Sequence, residues 1–259
     1  MRLITLTTDF GNSDPFVGIM KGVILDIYPN AKIVDLTHNI SPQNIRQASF
    51  ILRSSYYYFP KGTIHLCVVD PGVGSSRKPV LIKTKDYFFI GPNNGLFSFV
   101  IENEKLINII ELTEKKYWLK NISQTFHGRD IFAPVAAHLA QGKDIKDFGQ
   151  EITKNKLILL KQDSPIKTKN KIRGTVQYTD HFGNIITNIP NYFIKTKMIG
   201  KVKTKKIHGI IACYSGAEAK KLYAIKGSSN FIELFVNKDN AAKSVKAKVG
   251  DPVEFWEPT

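Results

Sequence analysis

Between Leu3 and Gly142 the chain alternates short apolar runs with stretches whose apolar residues recur at helical spacing. That alternation restricts this part to a layered α/β domain with a mainly parallel sheet between helices. Leu3 to Thr7 reads as the first strand. Asp14 to Ile27 then sets Phe16, Ile19, Met20, Val23, Ile24 and Ile27 on one helix face, and Pro29-Asn30 ends it. Lys32 to Leu36 follows as a strand and Pro42 to Tyr57 as a helix. Gly62 to Val69 is a strand whose C-terminal end delivers Asp70 into a Pro-Gly turn, the end at which open α/β sheets gather ligands. Val80 to Thr84 and Tyr87 to Ile90 read as strands around Lys85-Asp86, Gly95 to Ile101 as a short helix, and Ile107 to Leu112 as another strand. Arg129 to Gln141 is a helix with Pro134 near its first turn and Gly142 closing it.

The character changes across 143–170, where Ser164-Pro165 and the polar run Lys167 to Lys171 read as a linker. Beyond it, Ile172 to Tyr178, Ile185 to Ile189, Gly209 to Tyr214, Phe231 to Val236 and Pro252 to Trp256 are short strand-like pieces suited to a small all-β, barrel-like domain. A chain of 259 residues exceeds the usual size of one compact domain. The expected division is 1–160 for the α/β domain and 170–259 for the barrel.

Charge narrows the partners. The net charge is +15, and residues 151–210 hold 13 Lys or Arg against Glu151, Asp163 and Asp180. These lysines stand singly among Ile, Thr and Asn without interleaved aromatic stacking positions, so a solvated surface is expected and a nucleic-acid partner is not. No apolar run reaches the roughly 18 to 20 residues that cross a bilayer. The N-terminal apolar run is too short for a signal peptide, and Cys67 sits in an apolar run as a small hydrophobe, so a cytoplasmic location without membrane partner is expected.

Six polar strings mix Gly with side chains able to hold or polarise a ligand: Thr7-Thr8-Asp9-Phe10-Gly11, Val68 to Gly74, Gly91-Pro92-Asn93-Asn94-Gly95, Phe126-His127-Gly128-Arg129-Asp130, Asp180-His181-Phe182-Gly183-Asn184 and Gly227-Ser228-Ser229. The Asp9 carboxylate can accept from two neighbouring hydroxyls such as a ribose diol, or it can cap a turn. Asp70 and His127, on separate loops, are the ingredients of a proton-handling pair, and Arg77 can orient the carboxylate. Each also has a plainer reading as a turn Asp, a structural His and a solvated loop-tip Arg. The six histidines form no HExxH pattern and no zinc-type spacing, so no metal is expected. There is no GxxxxGK[ST] and no complete GxGxxG.

In order and content these strings resemble the S-adenosyl-L-methionine hydrolase (adenosine-forming) family, also called SAM hydroxide adenosyltransferases, relatives of the fluorinase and chlorinase. The resemblance runs from Thr7 to Gly250-Asp251-Pro252-Val253, essentially the whole chain. It implies attack of water or hydroxide on ribose C5′ of S-adenosylmethionine, without cofactor, in a homotrimer with sites between subunits. It puts the catalytic Asp, Arg and His on Asp70, Arg77 and His127, and the ribose grip on Asp9. It puts Asp180, Asn184 and Ser228 against the methionine and adenosine portions, and Glu233 and Val236 in a strand bordering the adenine. The halogenase branch has Tyr at the Asp70 position and Ser at the Gly128 position, so Asp70 and Gly128 side with hydrolysis over halide-dependent adenosyl transfer or a non-catalytic nucleoside-binding module. Two departures, Asn230 for a frequent Gly and Gln43 for the halogenase Trp, touch the adenine side.

Overall fold

The computed structural model describes residues 2–161, 163–195 and 197–258, so Met1, Thr196 and Thr259 of the two expected domains, and Gln162 of the stretch between them, lie outside it. The chain divides into two compact units, Met1–Leu160 and Lys161–Thr259.

The first unit contains strands β1 (Leu3–Thr8), β2 (Lys32–Thr37), β3 (Ile64–Val68), β4 (Pro79–Thr84), β5 (Phe88–Pro92), β6 (Leu106–Leu112) and β7 (Gly149–Glu151). Its helices are α1 (Phe16–Ile27), α2 (Ile45–Ser55), α3 (Ser98–Asn103) and α4 (Ala133–Ala140). The sheet order is β2-β1-β3-β5-β4-β6-β7. Strands β2, β1, β3 and β5 pair in parallel, and β4 and β7 are antiparallel to their neighbours, so β6 again points the common way.

Strict alternation buries both faces of this sheet. Ile4, Leu6, Ile64, Leu66, Leu81, Ile90 and Ile110 pack under α1 and α4. Cys67, Val69, Val80, Ile82, Phe89 and Ile109 pack under α2 and α3. Helix α2 starts later than its apolar spacing suggests because Gln43 takes a left-handed backbone (φ 65°) and Asn44 caps the helix, its side chain accepting from Gln47 N–H at 3.0 Å.

The expected single helix from Arg129 is two pieces, a π-turn at Gly128–Phe132 and then α4. Pro134 is the cause. It has no N–H to donate to the Asp130 carbonyl one turn back, and that carbonyl accepts Leu119 N–H at 2.9 Å instead.

The second unit is an antiparallel, nearly closed sheet of β8 (Ile166–Lys167), β9 (Lys171–Thr179), β10 (Ile185–Pro190), β11 (Ile199–Val202), β12 (Lys205–Ile207), β13 (Leu222–Lys226), β14 (Phe231–Val236) and β15 (Pro252–Trp256), with one short helix, α5 (Ala241–Val245). Its order is β12-β11-β15-β9-β10-β14-β13, with β8 on β9. Strand β9 serves three partners: Lys171 to Thr175 pair with β15 on one edge, β8 pairs with Ile172 and Arg173, and Val176 to Thr179 pair with β10.

The expected strand from Gly209 to Tyr214 does not form. His208 N–H and Ile211 N–H donate to carbonyls of Leu222 and Ala224, bringing the chain after β12 onto β13, and Tyr214–Gly216 is a 3₁₀ turn. The expected linker contains β8, β11 and β12 lie in lysine-rich sequence that masks their period, and β13 is a short apolar run, Leu222 to Ile225, not expected as a strand.

Candidate active site

Strand β3 ends at Val68 and the chain turns at once, Val73 N–H bonding back to the Asp70 carbonyl at 3.2 Å. Asn94, from the loop after β5, donates to the Val69 carbonyl at 2.9 Å and fixes the strand end. At Gly74 (φ 75°) a Cβ would lie 2.3 Å from the Gln124 carbonyl oxygen. Only glycine lets the 70–77 loop close on the segment that carries His127.

The result brings Asp70, Arg77 and His127 together as the sequence suggested. Arg77 donates through Nε to Asp70 Oδ1 at 3.1 Å and through Nη2 to Oδ2. The same Nη2 lies 3.0 Å from His127 Nδ1. The Arg77 and Asp70 side chains are only 6% and 5% exposed, so solvent screening is weak. A guanidinium is always a donor, so His127 Nδ1 must accept, and the ring is the neutral tautomer with its proton on Nε2. Burial, and then the Arg77 charge, hold the His127 pKa below its ordinary value, which agrees with that form. Burial pushes the Asp70 carboxyl above its ordinary value against the opposing pull of Arg77. Arg77 Nη1 is buried and has no hydrogen-bond partner among the described residues. The guanidinium carbon stands 5.4 Å from the centre of the Phe132 ring, so this nitrogen is enclosed by the protein and the face the trio offers a ligand is that of Asp70 and His127.

Asp9 follows β1, and its Oδ2 accepts Gln43 N–H at 2.7 Å. The neighbouring Phe10 packs edge-on or tilted against Phe16 and Phe126, with centroids 5.7 and 5.8 Å away, which ties the Asp9 loop to the His127 loop. Gly128 lies against this cluster: a Cβ there would come within 3.4 Å of Met20 Sδ, Phe126 and Phe10.

The second unit forms its own polar cluster at the β9–β10 turn. Asp180 accepts Asn184 N–H at 2.8 Å and Asn184 Nδ2 at 3.0 Å. Glu233 shares with Phe235 the face of β14 opposite the barrel core, and its Oε1 accepts the Tyr214 hydroxyl at 2.5 Å. Burial pushes the Glu233 carboxyl up, Tyr214 opposes this, and the Asp180 charge adds to it. Ser228 is exposed, and Gly227 beside it packs on Glu233. The Val236 side chain belongs to the barrel core, so only its backbone can face a ligand.

Sequence reasoning missed Asn94 as a strap on the β3 end and Tyr214 as the partner of Glu233. Asn94 lies within the Gly91-to-Gly95 string, whereas Tyr214 ends the expected strand from Gly209 that does not form. Among the described residues no group of three or more His, Cys, Asp or Glu is placed to hold a metal ion, and no helix is long and apolar enough to cross a membrane.

Residues 4–149 match the family model of the SAM hydroxide adenosyltransferase N-terminal domain, and residues 174–254 that of its C-terminal domain. The chain is 37% identical over 271 residues to the (R)-S-adenosyl-L-methionine hydrolase of Methanocaldococcus jannaschii, covering 98% of this chain and 96% of that one. A Thermus thermophilus protein of the same name is 32% identical, over 98% of this chain and all of that one. A fluorinase of an Actinoplanes species is 26% identical over 76% of this chain and 75% of its own. The crystal structure of an uncharacterized conserved protein from Thermotoga maritima matches with a TM-score of 0.92 at 35% identity, covering 98% of this chain and 100% of that one.

Proposed function

This chain belongs to the SAM hydroxide adenosyltransferase family, and from that premise we propose that it hydrolyses S-adenosyl-L-methionine to adenosine and L-methionine at the Asp70–Arg77–His127 cluster. The observation that supports the site assignment is one Arg77 guanidinium bonded to both oxygens of the Asp70 carboxylate and standing 3.0 Å from the neutral imidazole of His127.

Water attacks ribose C5′ opposite the C5′–S bond, and the bond's electron pair leaves with the methionine sulfur. The sulfonium is already a good leaving group, so the protein's task is to align the nucleophile and keep competing water out. Asp70 takes the proton, because His127 Nδ1 is already occupied by Arg77 and its Nε2 carries hydrogen. The Arg77 charge stabilises hydroxide character on the oxygen as it develops, and His127 Nε2–H is the donor to it. The proton passes from Asp70 to solvent after the products leave. Asp9 accepts the ribose hydroxyls with the lone pairs that Gln43 N–H leaves free.

We place the reaction in the cytoplasm and the protein in a homotrimer with sites between subunits, where Asp180, Asn184, Ser228, Glu233 and the Val236 backbone complete substrate binding; this rests on the family resemblance. The test is chromatography of products from purified protein and S-adenosylmethionine, offered as each sulfur epimer because the relatives' names specify R. Adenosine and methionine in chloride-free and chloride-rich buffer alike are expected. A halogenated nucleoside that replaces adenosine, or tight binding without turnover, would overturn hydrolysis. Sedimentation giving only monomer would overturn the trimer.

A further inference from the structure

The carboxylate of Asp9 is held from outside its own loop. Thr8 is fully buried, and its Oγ1 lies 2.9 Å from His38 Nδ1 while accepting Phe10 N–H at 3.3 Å. His38 is 5% exposed, its Nε2 is 3.1 Å from Asp35 Oδ1 on β2, and Asp35 Oδ2 accepts Lys21 Nζ of α1 at 2.5 Å. Burial pushes the Asp35 carboxyl up, but the bond from Lys21 and the nearby His38 outweigh it and hold Asp35 below its ordinary value. An ionised carboxylate 3.1 Å away attracts the ring proton to Nε2 by charge, although the geometry does not make a hydrogen bond, and this leaves Nδ1 to accept from Thr8. The backbone of the same residue is used too, since the His38 carbonyl accepts Gly11 N–H at 2.8 Å. Both flanks of Asp9, Thr8 and Gly11, are therefore bonded to one residue. The Gln43 N–H that meets Asp9 itself lies five residues further along that segment.

We propose that His38, acting through Thr8, is a positioning residue that aims the Asp9 carboxylate at the vicinal hydroxyls of the substrate's ribose. The inference rests on Asp9 as the ribose acceptor. Lys21, Asp35 and His38 form a line from α1 across β2 to the end of β1 and touch no reacting atom, so their effect falls on recognition of the diol and not on the chemical step. A rigidly aimed carboxylate gains from both hydroxyls at once, whereas a mobile one loses much of that gain to ordering.

The test measures calorimetric affinity for adenosine and for 2′,3′-dideoxyadenosine, which lacks the diol, together with kcat and KM. Thr8→Val removes the hydroxyl at constant shape, Thr8→Ser restores it, and His38→Gln keeps a donor near Asp35 but withdraws the group facing Thr8. Thr8→Val and His38→Gln are each expected to shrink the preference for adenosine by about tenfold, the size of one lost charge-assisted hydrogen bond. The expected companions are a raised KM, kcat within about twofold of the parent, Thr8→Ser near the parent, and a double variant no worse than either single. A preference left intact in Thr8→Val overturns the proposal, as does an equal loss of affinity for both nucleosides. Asp9→Asn separates the two levels: if it leaves the adenosine preference unchanged, Asp9 is not the ribose acceptor. If it abolishes the preference while Thr8→Val does not, the positioning role alone fails.

Discussion

Arg77 grips both carboxylate oxygens of Asp70 and, from the nitrogen bound to Oδ2, also reaches His127 Nδ1 at 3.0 Å. One planar guanidinium thus sets the spacing of Asp70, on its own loop, and His127, 50 residues beyond Arg77 in the chain. Lysine cannot do this, because an ammonium is a point charge without the fork geometry.

Arg77→Lys is therefore expected to keep the fold and lower kcat by about a hundredfold, and Asp70→Asn by about 10²- to 10⁴-fold, the range for a positioned proton acceptor. Steady-state kinetics with circular dichroism as a control checks both. A lysine variant at parental rate would mean that the fork is dispensable.

The pH profile carries the sign of the two shifts. The working state needs Asp70 ionised and His127 neutral, and acid removes both conditions. Asp70 sits above its ordinary 3.8 through burial, and His127 below its ordinary 6.5 through burial and Arg77. Activity is thus expected to be full at neutral pH and to fall on acidification inside that window. The residual activity of Asp70→Asn should lose the part of this limb that belongs to the carboxyl. An unchanged limb in that variant would assign it elsewhere.

Asp70 and His127 could be picked out in the sequence because strand ends and Gly-rich turns advertise themselves locally. Their partnership could not, since it depends on Gly74 meeting Gln124 and on Asn94 strapping Val69, both contacts between loops distant in sequence. The α/β half was legible because both sheet faces are apolar and each helix carries one stripe. The barrel half was legible in part: Phe231–Val236 stands out as an apolar run, while Lys205–Ile207 is a strand made by its neighbours. Pro134 reads as a first-turn residue of a helix from Arg129, and in the fold it also interrupts the ladder to leave the Asp130 carbonyl for Leu119.

His65 gives a stability prediction independent of catalysis. It is fully buried on β3, bonded through Nδ1 to Thr5 Oγ1 at 2.8 Å and stacked on Phe89, and burial holds its pKa at about 3. Its folded pKa lies below the unfolded one, so as pH falls through about 6.5 the unfolded chain binds a proton that the folded chain refuses. Its contribution should be constant above that pH and decline by about 1.4 kcal/mol for each pH unit down to about 3. Urea unfolding across pH 7 to 4 is expected to show this slope in the parent and a shallower one in His65→Phe. Parallel curves for the two proteins would rule His65 out as its source.

Asp130 holds the His127 segment from beneath. It is fully buried, and its carboxylate accepts Ser123 N–H at 2.8 Å and Arg129 Nε and Nη2 at 2.6 and 3.2 Å. All three partners are donors. Asp130→Asn keeps the size but points an amide N–H₂ at one of them, leaving a buried donor facing a donor, at a cost of about 2 kcal/mol. Arg129 is one-third exposed and can swing into solvent, whereas Ser123 N–H cannot move without the loop that ends at His127. Asp130→Asn is therefore expected to lower kcat together with stability. Adding Arg129→Ala should recover part of the stability, because the asparagine oxygen can then turn to Ser123. A double-mutant cycle in urea measures this coupling; strict additivity would show that the two side chains act separately and that the loop is held by something else.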